Sequence, residues 1–180
     1  MEFVIQKAKD DETDAIIELI QDIYENMTQK DWYAADNAEY TREMLRTGKG
    51  LAYTAREEQS GELAGVFLTA FPGTSKENLG MDIGIREDLL NKVAHMDSVV
   101  VSPAYRGHHL QQRLMSYAEN DLRHAGYQYL CCTIHPDNQY SMNSALSLGY
   151  KVYKTCPKYG GYMRAILMKE IIRDGGYVSF

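Results

Sequence analysis

The sequence predicts a single α/β domain: a mixed, mostly antiparallel sheet with a central parallel βαβ unit and helices on both faces. Two observations carry that prediction. Residues 93–101 and 129–134 are apolar runs flanking a helical pattern at 110–124, the signature of parallel neighbours joined by a right-handed crossover. Residues 51–55 and 63–71 flank the polar turn Gln59-Ser60-Gly61-Glu62, as in an antiparallel hairpin. A chain of 180 residues, 44% hydrophobic and 24% charged, suits one sizeable core.

The remaining elements follow in order. Phe3-Val4-Ile5 reads as a first strand. In DDETDAIIELIQDIYENM, Ile16, Leu19, Ile20, Ile23 and Met27 fall three or four apart and form one apolar helix face, with Asp10, Asp11 or Thr13 as caps. A second helix covers 39–46 and ends before Gly48 and Gly50. Pro72-Gly73 stops the hairpin; 73–85 carry no clear pattern, and 86–92 read as a short helix. Leu110, Leu114, Tyr117, Ala118 and Leu122 share a face of the crossover helix, which Gly126 ends. Tyr129-Leu130-Cys131-Cys132-Thr133-Ile134 suits a central strand covered on both faces. Residues 138–148 read as a helix; 150–153 and 162–168 are the last strands, joined by the loop TCPKYGG. The domain spans 1–172, and 173–180 form a loosely held tail.

The formal net charge of -6 argues against a general nucleic-acid binder, which needs a basic surface. Three cysteines, two of them adjacent in an apolar run, are not a disulfide framework. No signal-like start and no run of membrane-spanning length is present, so the sequence predicts a cytoplasmic protein without membrane contact.

The corner SPAYRGHHLQQ is where the chemistry concentrates. The first amides of a helix lack partners and carry about half a positive charge, a ready anion site. Gly107 permits a tight turn and close approach, Arg106 adds a forked cation, and His108 and His109 add donors. The corner is either a diphosphate-binding turn or a plain connection whose polar residues face water.

PAYRGHHLQQRLM after DSVVV resembles the acetyl-CoA-binding signature of the GNAT (GCN5-related) N-acetyltransferases: Arg or Gln, two residues, Gly, one residue, then Gly or Ala. HPDNQYSMNSALSLGYKVY resembles the family's second signature, with Asn138, Gly149 and Tyr150 in its positions. The resemblance is strong from Val93 to Met168 and vague before Leu51. It implies a GNAT-like fold in which the fourth and fifth strands splay. Val99, Val100 and Val101 would offer main-chain groups to the pantetheine arm of acetyl-CoA. The segment from Arg106 and Gly107 through His108, His109 and Leu110 to Gln111 would hold the pyrophosphate, and Asn138 the pantetheine end. His109 and Gln111 stand where small residues are usual. Either the amide at 109 reaches the phosphate with the ring turned away, or the imidazole touches the phosphate itself.

Acetyl transfer needs a neutral amine, hence a base, and a donor for the oxygen on which charge develops. By resemblance the donor is a main-chain N–H near Val99 or Val100. The position of the family's frequent fourth-strand carboxylate is His95, with Asp97 two residues on; these are the base candidates. The family's usual tyrosine acid falls on Ala145, leaving Tyr140, Tyr153 and Tyr159 as substitutes, of which Tyr153 joins the catalytic candidates. By resemblance Trp32 and Tyr33, in a loop with Asp31 and Asp36, would line the amine cleft, or Trp32 anchors its loop to the core.

Cys131, Cys132 and His135 lack metal-ligand spacing, so no metal is expected. No P-loop and no nucleophile elbow exists. The resemblance thus implies transfer of acetyl from acetyl-CoA to a primary amine, its acceptor expected to be a small molecule. The alternative is a non-catalytic acyl-CoA-binding regulatory domain of the same fold. By resemblance, pairing through the last strands would make a homodimer.

Overall fold

A computed structural model describes residues 1–34 and 36–171. The strands are β1 (Phe3–Lys7), β2 (Gly50–Glu57), β3 (Leu63–Ala70), β4 (Val93–Val101), β5 (Tyr129–Ile134), β6 (Lys151–Lys158) and β7 (Tyr162–Glu170). They form one sheet in the order β1-β2-β3-β4-β5-β7-β6. Among the described residues only the β4–β5 pair is parallel.

Helices cover both faces. On one face lie α1 (Thr13–Glu25) and α2 (Ala38–Arg46). Ile16, Ile20 and Ile23 of α1 and Met44 of α2 pack against Ala52, Val66, Leu68 and Val100. The Asn37 side chain caps α2 by accepting the Tyr40 N–H at 2.8 Å. On the other face, α4 (Leu110–His124) buries Leu110, Leu114, Met115, Ala118 and Leu122 against Tyr53, Phe67, Ala94, Met96 and Leu130. Burying each of these leucines and methionines is worth about 1.5–3 kcal/mol. The neighbouring α5 (Gln139–Ser147) adds Ala145 to this core. The alternation of β5 puts Cys131 and Cys132 on opposite faces, both buried.

The predicted order of elements is present, with differences in detail. The patternless stretch 73–85 holds a one-turn helix, α3 (Leu79–Asp82), capped by the buried Asn78. Residues 87–92 form a 3-10 helix. The segment TCPKYGG is mostly strand: β6 runs on to Lys158, and only 159–161 make the turn into β7. An exposed edge strand shows no burial period, and that concealed it. The tail predicted at 173–180 lies outside the described residues.

Candidate active site

Two irregularities in β4 shape the site. The first is the short seam with β5. Parallel pairing covers only Val93↔Tyr129, Ala94↔Leu130 and His95↔Cys131, although both strands continue. β5 stays paired to β7 through Ile134, and β4 to β3 through Val101, so the gap opens between β4 and β5. Ser102 N–H donates to the Ala64 carbonyl at 2.9 Å. Antiparallel alternation then turns the Val100 groups toward β3 and the N–H and C=O of Val99 and Val101 into the gap.

The second irregularity is a bulge. Leu68 pairs with Ser98 and Thr69 with Met96, which leaves Asp97 unopposed. The extra residue reverses the alternation: Ala94 and Met96 point to the α4 side before it, Val99 and Val101 after it. Asp97 thus sits at the opening of the gap.

A cleft of about 960 Å³ occupies the split. At one end it is lined by Arg106, Gly107, His109, Leu110, Gln111 and Asn138. At its waist are Met96, Asp97, Val99, Val100, Val101 and Thr133, and at the other end Met27, Trp32 and Tyr33 follow α1.

The α4 end is built from backbone. Gly107 has φ +85° and His109 φ +56°, ψ +26°, so two left-handed residues steer the chain onto the helix. His109 holds this conformation despite its Cβ. The first bond of α4 runs from Arg113 N–H to the His109 carbonyl, which leaves the preceding amides without helical partners. The His109 ring does not cap them. Its Nδ1 meets Gln112 Oε1 at 3.1 Å, while Gln112 Nε2 donates to Ser147 Oγ at 2.9 Å and Ser147 Oγ donates to the Ser144 carbonyl at 2.8 Å. A carbonyl only accepts, so this chain fixes Nδ1 as the protonated ring nitrogen and leaves Nε2 for another partner. Arg106 is exposed and makes no ion pair among the described residues. His108 does not line the cleft; its ring packs on Phe3 at 5.2 Å. Asn138 Oδ1 caps α5 by accepting the Ser141 N–H at 3.2 Å.

At the waist, burial within the protein mass raises the Asp97 carboxyl to about 7, the Asp36 carboxylate adds to the rise, and the Ser98 hydroxyl opposes it. Solvent still reaches Asp97 through the cleft. Such a group can take a proton near neutral pH.

The structure separates the other two catalytic candidates from Asp97. His95 Nε2 accepts the Leu79 N–H of α3 at 3.0 Å, and the ring does not line the cleft. Burial, aided by Lys158 and opposed by Asp82, holds its imidazole down at about 4. Tyr153 is 52% exposed on the outer strand β6, away from the cleft lining. Tyr159, in the β6–β7 turn, shares a 3.0 Å hydrogen bond with Thr133 Oγ1. Thr133 is a residue the sequence reading missed; its signal was the one aliphatic hydroxyl in an apolar strand.

Trp32 both lines the cleft and anchors its loop, stacking on His135 at 6.0 Å. Arg164 reinforces that anchor, Nη2 donating to the Asp31 carbonyl at 2.6 Å. Burial pushes the Cys131 thiol up to about 12 and the Cys132 thiol higher, so neither is a ready nucleophile or ligand. No cluster of metal-ligating side chains is found among the described residues.

An open strand edge running to the bare N-terminus of a helix fits a long ligand with amides along its arm and phosphates at its tail. Val99 and Val101 turn edge groups into the gap that match such an arm, and the amides opening α4, beside Arg106, suit phosphates. Such a cleft suits a ligand of the coenzyme A class. The chain belongs to the acetyltransferase (GNAT) family, whose model matches residues 13–150. It is accordingly an acetyl-CoA-dependent N-acetyltransferase with acetyl-CoA as cosubstrate.

Among solved structures, a GCN5-related N-acetyltransferase from Kribbella flavida is 19% identical with a TM-score of 0.71, covering 94% of this chain and 98% of that one. A putative acetyltransferase from Salmonella typhimurium, solved with its cofactor acetyl-CoA, is 18% identical with a TM-score of 0.68, covering 98% of each chain. An N-acetyltransferase from Staphylococcus aureus Mu50 is 16% identical with a TM-score of 0.70, covering 94% of this chain and 99% of that one. At these identities the likeness is one of fold. No curated protein matches the sequence. No helix among the described residues is long and apolar enough to cross a membrane.

Proposed function

We propose that the acceptor is the primary amine of a small molecule and that Asp97 is the base. The observation that carries this reading is the bulge, which sets a carboxyl raised to about 7 beside the open edge of β4. Acetyl-CoA supplies an acetyl group activated as a thioester. The amide of Val99 donates a hydrogen bond to the carbonyl oxygen as charge develops there. Asp97 accepts the proton of the attacking nitrogen, directly or through one water. Thr133 occupies the β5 position that matches Asp97, two residues beyond the last pair; backed by Tyr159, its hydroxyl is the donor for the departing sulfur. That pair takes over from the tyrosine absent at Ala145, which lines the same cleft.

Release of free CoA, followed with small primary amines, tests the reading. Asp97→Asn lowers kcat/KM by about 10²–10⁴-fold. It also removes the rise of kcat/KM through about pH 7, because the working base is the ionised form. Thermal stabilisation by CoA persists in the variant. An Asp97→Asn enzyme with full activity and an unchanged pH profile would remove Asp97 from the mechanism.

A further inference from the structure

The loop between α1 and α2 bridges the gap between β4 and β5 on the side away from α4, and it carries the protein's single tryptophan. We propose that the acceptor is an arylalkylamine without a carboxylate, its amine meeting Asp97 and its ring continuing the stack that Trp32 makes with His135. This rests on the amine-acetylating reading above and names the class of amine.

The bridge is fastened at both ends. Tyr33 packs against the cluster that includes Val66 of β3 and Val100 of β4. Trp32 reaches the other side, its ring stacked on His135 at 6.0 Å and 24°. His135 follows Ile134, which pairs with Ala165 of β7, and the neighbouring Arg164 donates from Nη2 to the Asp31 carbonyl at 2.6 Å. His135 Nε2 lies 3.6 Å from Asp31 Oδ2. His135 is two residues, about 7 Å of strand, beyond Thr133. Trp32, Asp97 and Thr133 line the same cleft. The indole is thus held in place before any acceptor arrives, so little side-chain freedom is lost on binding.

Trp32 is only partly buried, which leaves apolar aromatic surface facing the cleft. A ring laid on it removes that surface from water and adds the stacking preference of aromatic pairs. Met27, in the same wall, is an adaptable neighbour for such a ring.

Charge narrows the class. Among the described residues, the basic side chains that line the cleft are Arg106 and His109, both at the α4 end, and the acidic ones are Asp22 and Asp97. Arg164, close to Trp32, is buried and donates to the carbonyls of Met163 and Asp31. Lys158 Nζ is engaged with Asp82 at 2.8 Å. A carboxylate on the acceptor would meet Asp97 with no counter-charge beside it, a costly juxtaposition.

The test follows CoA release with phenylalkylamines of one to four methylenes, with their cyclohexyl counterparts, and with phenylalanine. At the best chain length kcat/KM for the phenyl compound exceeds that for the cyclohexyl one by about two- to tenfold. It exceeds that for phenylalanine by about tenfold or more. A second readout is the emission of Trp32 itself, the sole indole, which changes as the phenylalkylamine is titrated into enzyme holding CoA. In Trp32→Leu the phenyl-to-cyclohexyl ratio falls to about one, mainly through KM, while Trp32→Phe keeps a preference; stabilisation by CoA shows that each variant is folded. A ratio of one in the parent, a ratio unchanged in Trp32→Leu, or an emission that does not respond overturns the stack. Phenylalanine accepted as well as phenylethylamine overturns the exclusion of carboxylates. Either result with aliphatic amines still acetylated leaves the amine reading standing, whereas no CoA release with any amine overturns that reading as well.

Discussion

The α4 end of the cleft and its acceptor mouth reach their functions by opposite constructions. At the α4 end, Arg106 through Gln111 are consecutive, and the working groups are amides whose direction is set by Gly107 and His109 in left-handed conformations. At the mouth the proposed working groups are side chains: Asp97, Thr133 and Tyr159 come from three separated segments. The first is a local device that travels with its motif. The second exists only once the sheet has formed, so it can vary while the first stays fixed.

Breaking the local device should give the largest effect on CoA binding. Gly107→Val forces a β-branched residue to φ +85°, a strain of about 1–2 kcal/mol or more, with no neighbour blocking the new Cβ. The turn relaxes by displacing the amides, so CoA affinity measured by calorimetry falls about tenfold or more while the melting temperature drops only modestly. Arg106→Ala costs a comparable factor of about tenfold in affinity and flattens its salt dependence, because it removes charge and leaves the amides in place.

A middle-sized effect probes the mouth. Asp97 is raised in the folded state above its unfolded value of 3.8 to about 7. Its contribution is therefore fully present below the unfolded value, is lost as pH climbs to about 7, and stays lost above that. Asp97→Asn should melt higher than the parent above pH 7, with the gain gone near pH 4. An Asn variant no more stable at high pH would mean that solvent in the cleft already satisfies the ionised carboxylate.

The smallest effect sharpens the contrast at one residue. His109→Gly relieves a left-handed His and should raise stability by about 0.5–1 kcal/mol in denaturant unfolding, less the greater freedom of glycine in the unfolded chain. If CoA affinity drops at the same time, the imidazole itself touches phosphate; if it holds, the amide suffices and the ring is a spectator tied to Gln112.

These contrasts also explain what was legible. The βαβ unit, the corner and Asn138 stand out because apolar runs, a helical period and turn residues encode them within short stretches. The bulge at Asp97 is invisible in DSVVV, since it depends on how β3 registers against β4. His95 looked like a base because its partner, the amide of Leu79, lies sixteen residues away in a stretch with no pattern. Tyr153 looked available because β6 gives no sign of its place at the far edge of the sheet. Thr133 and Tyr159 meet only through the β6–β7 hairpin.

The seam described between β4 and β5 has a mechanical corollary. Strands β1 to β4 and strands β5 to β7 behave as two leaves whose backbones are stitched by a mere three facing positions, Val93 to His95. Beyond that short spine the leaves are held apart by whatever lies between them. A pantetheine chain threaded there would bridge the two leaves as well as deliver the acetyl group.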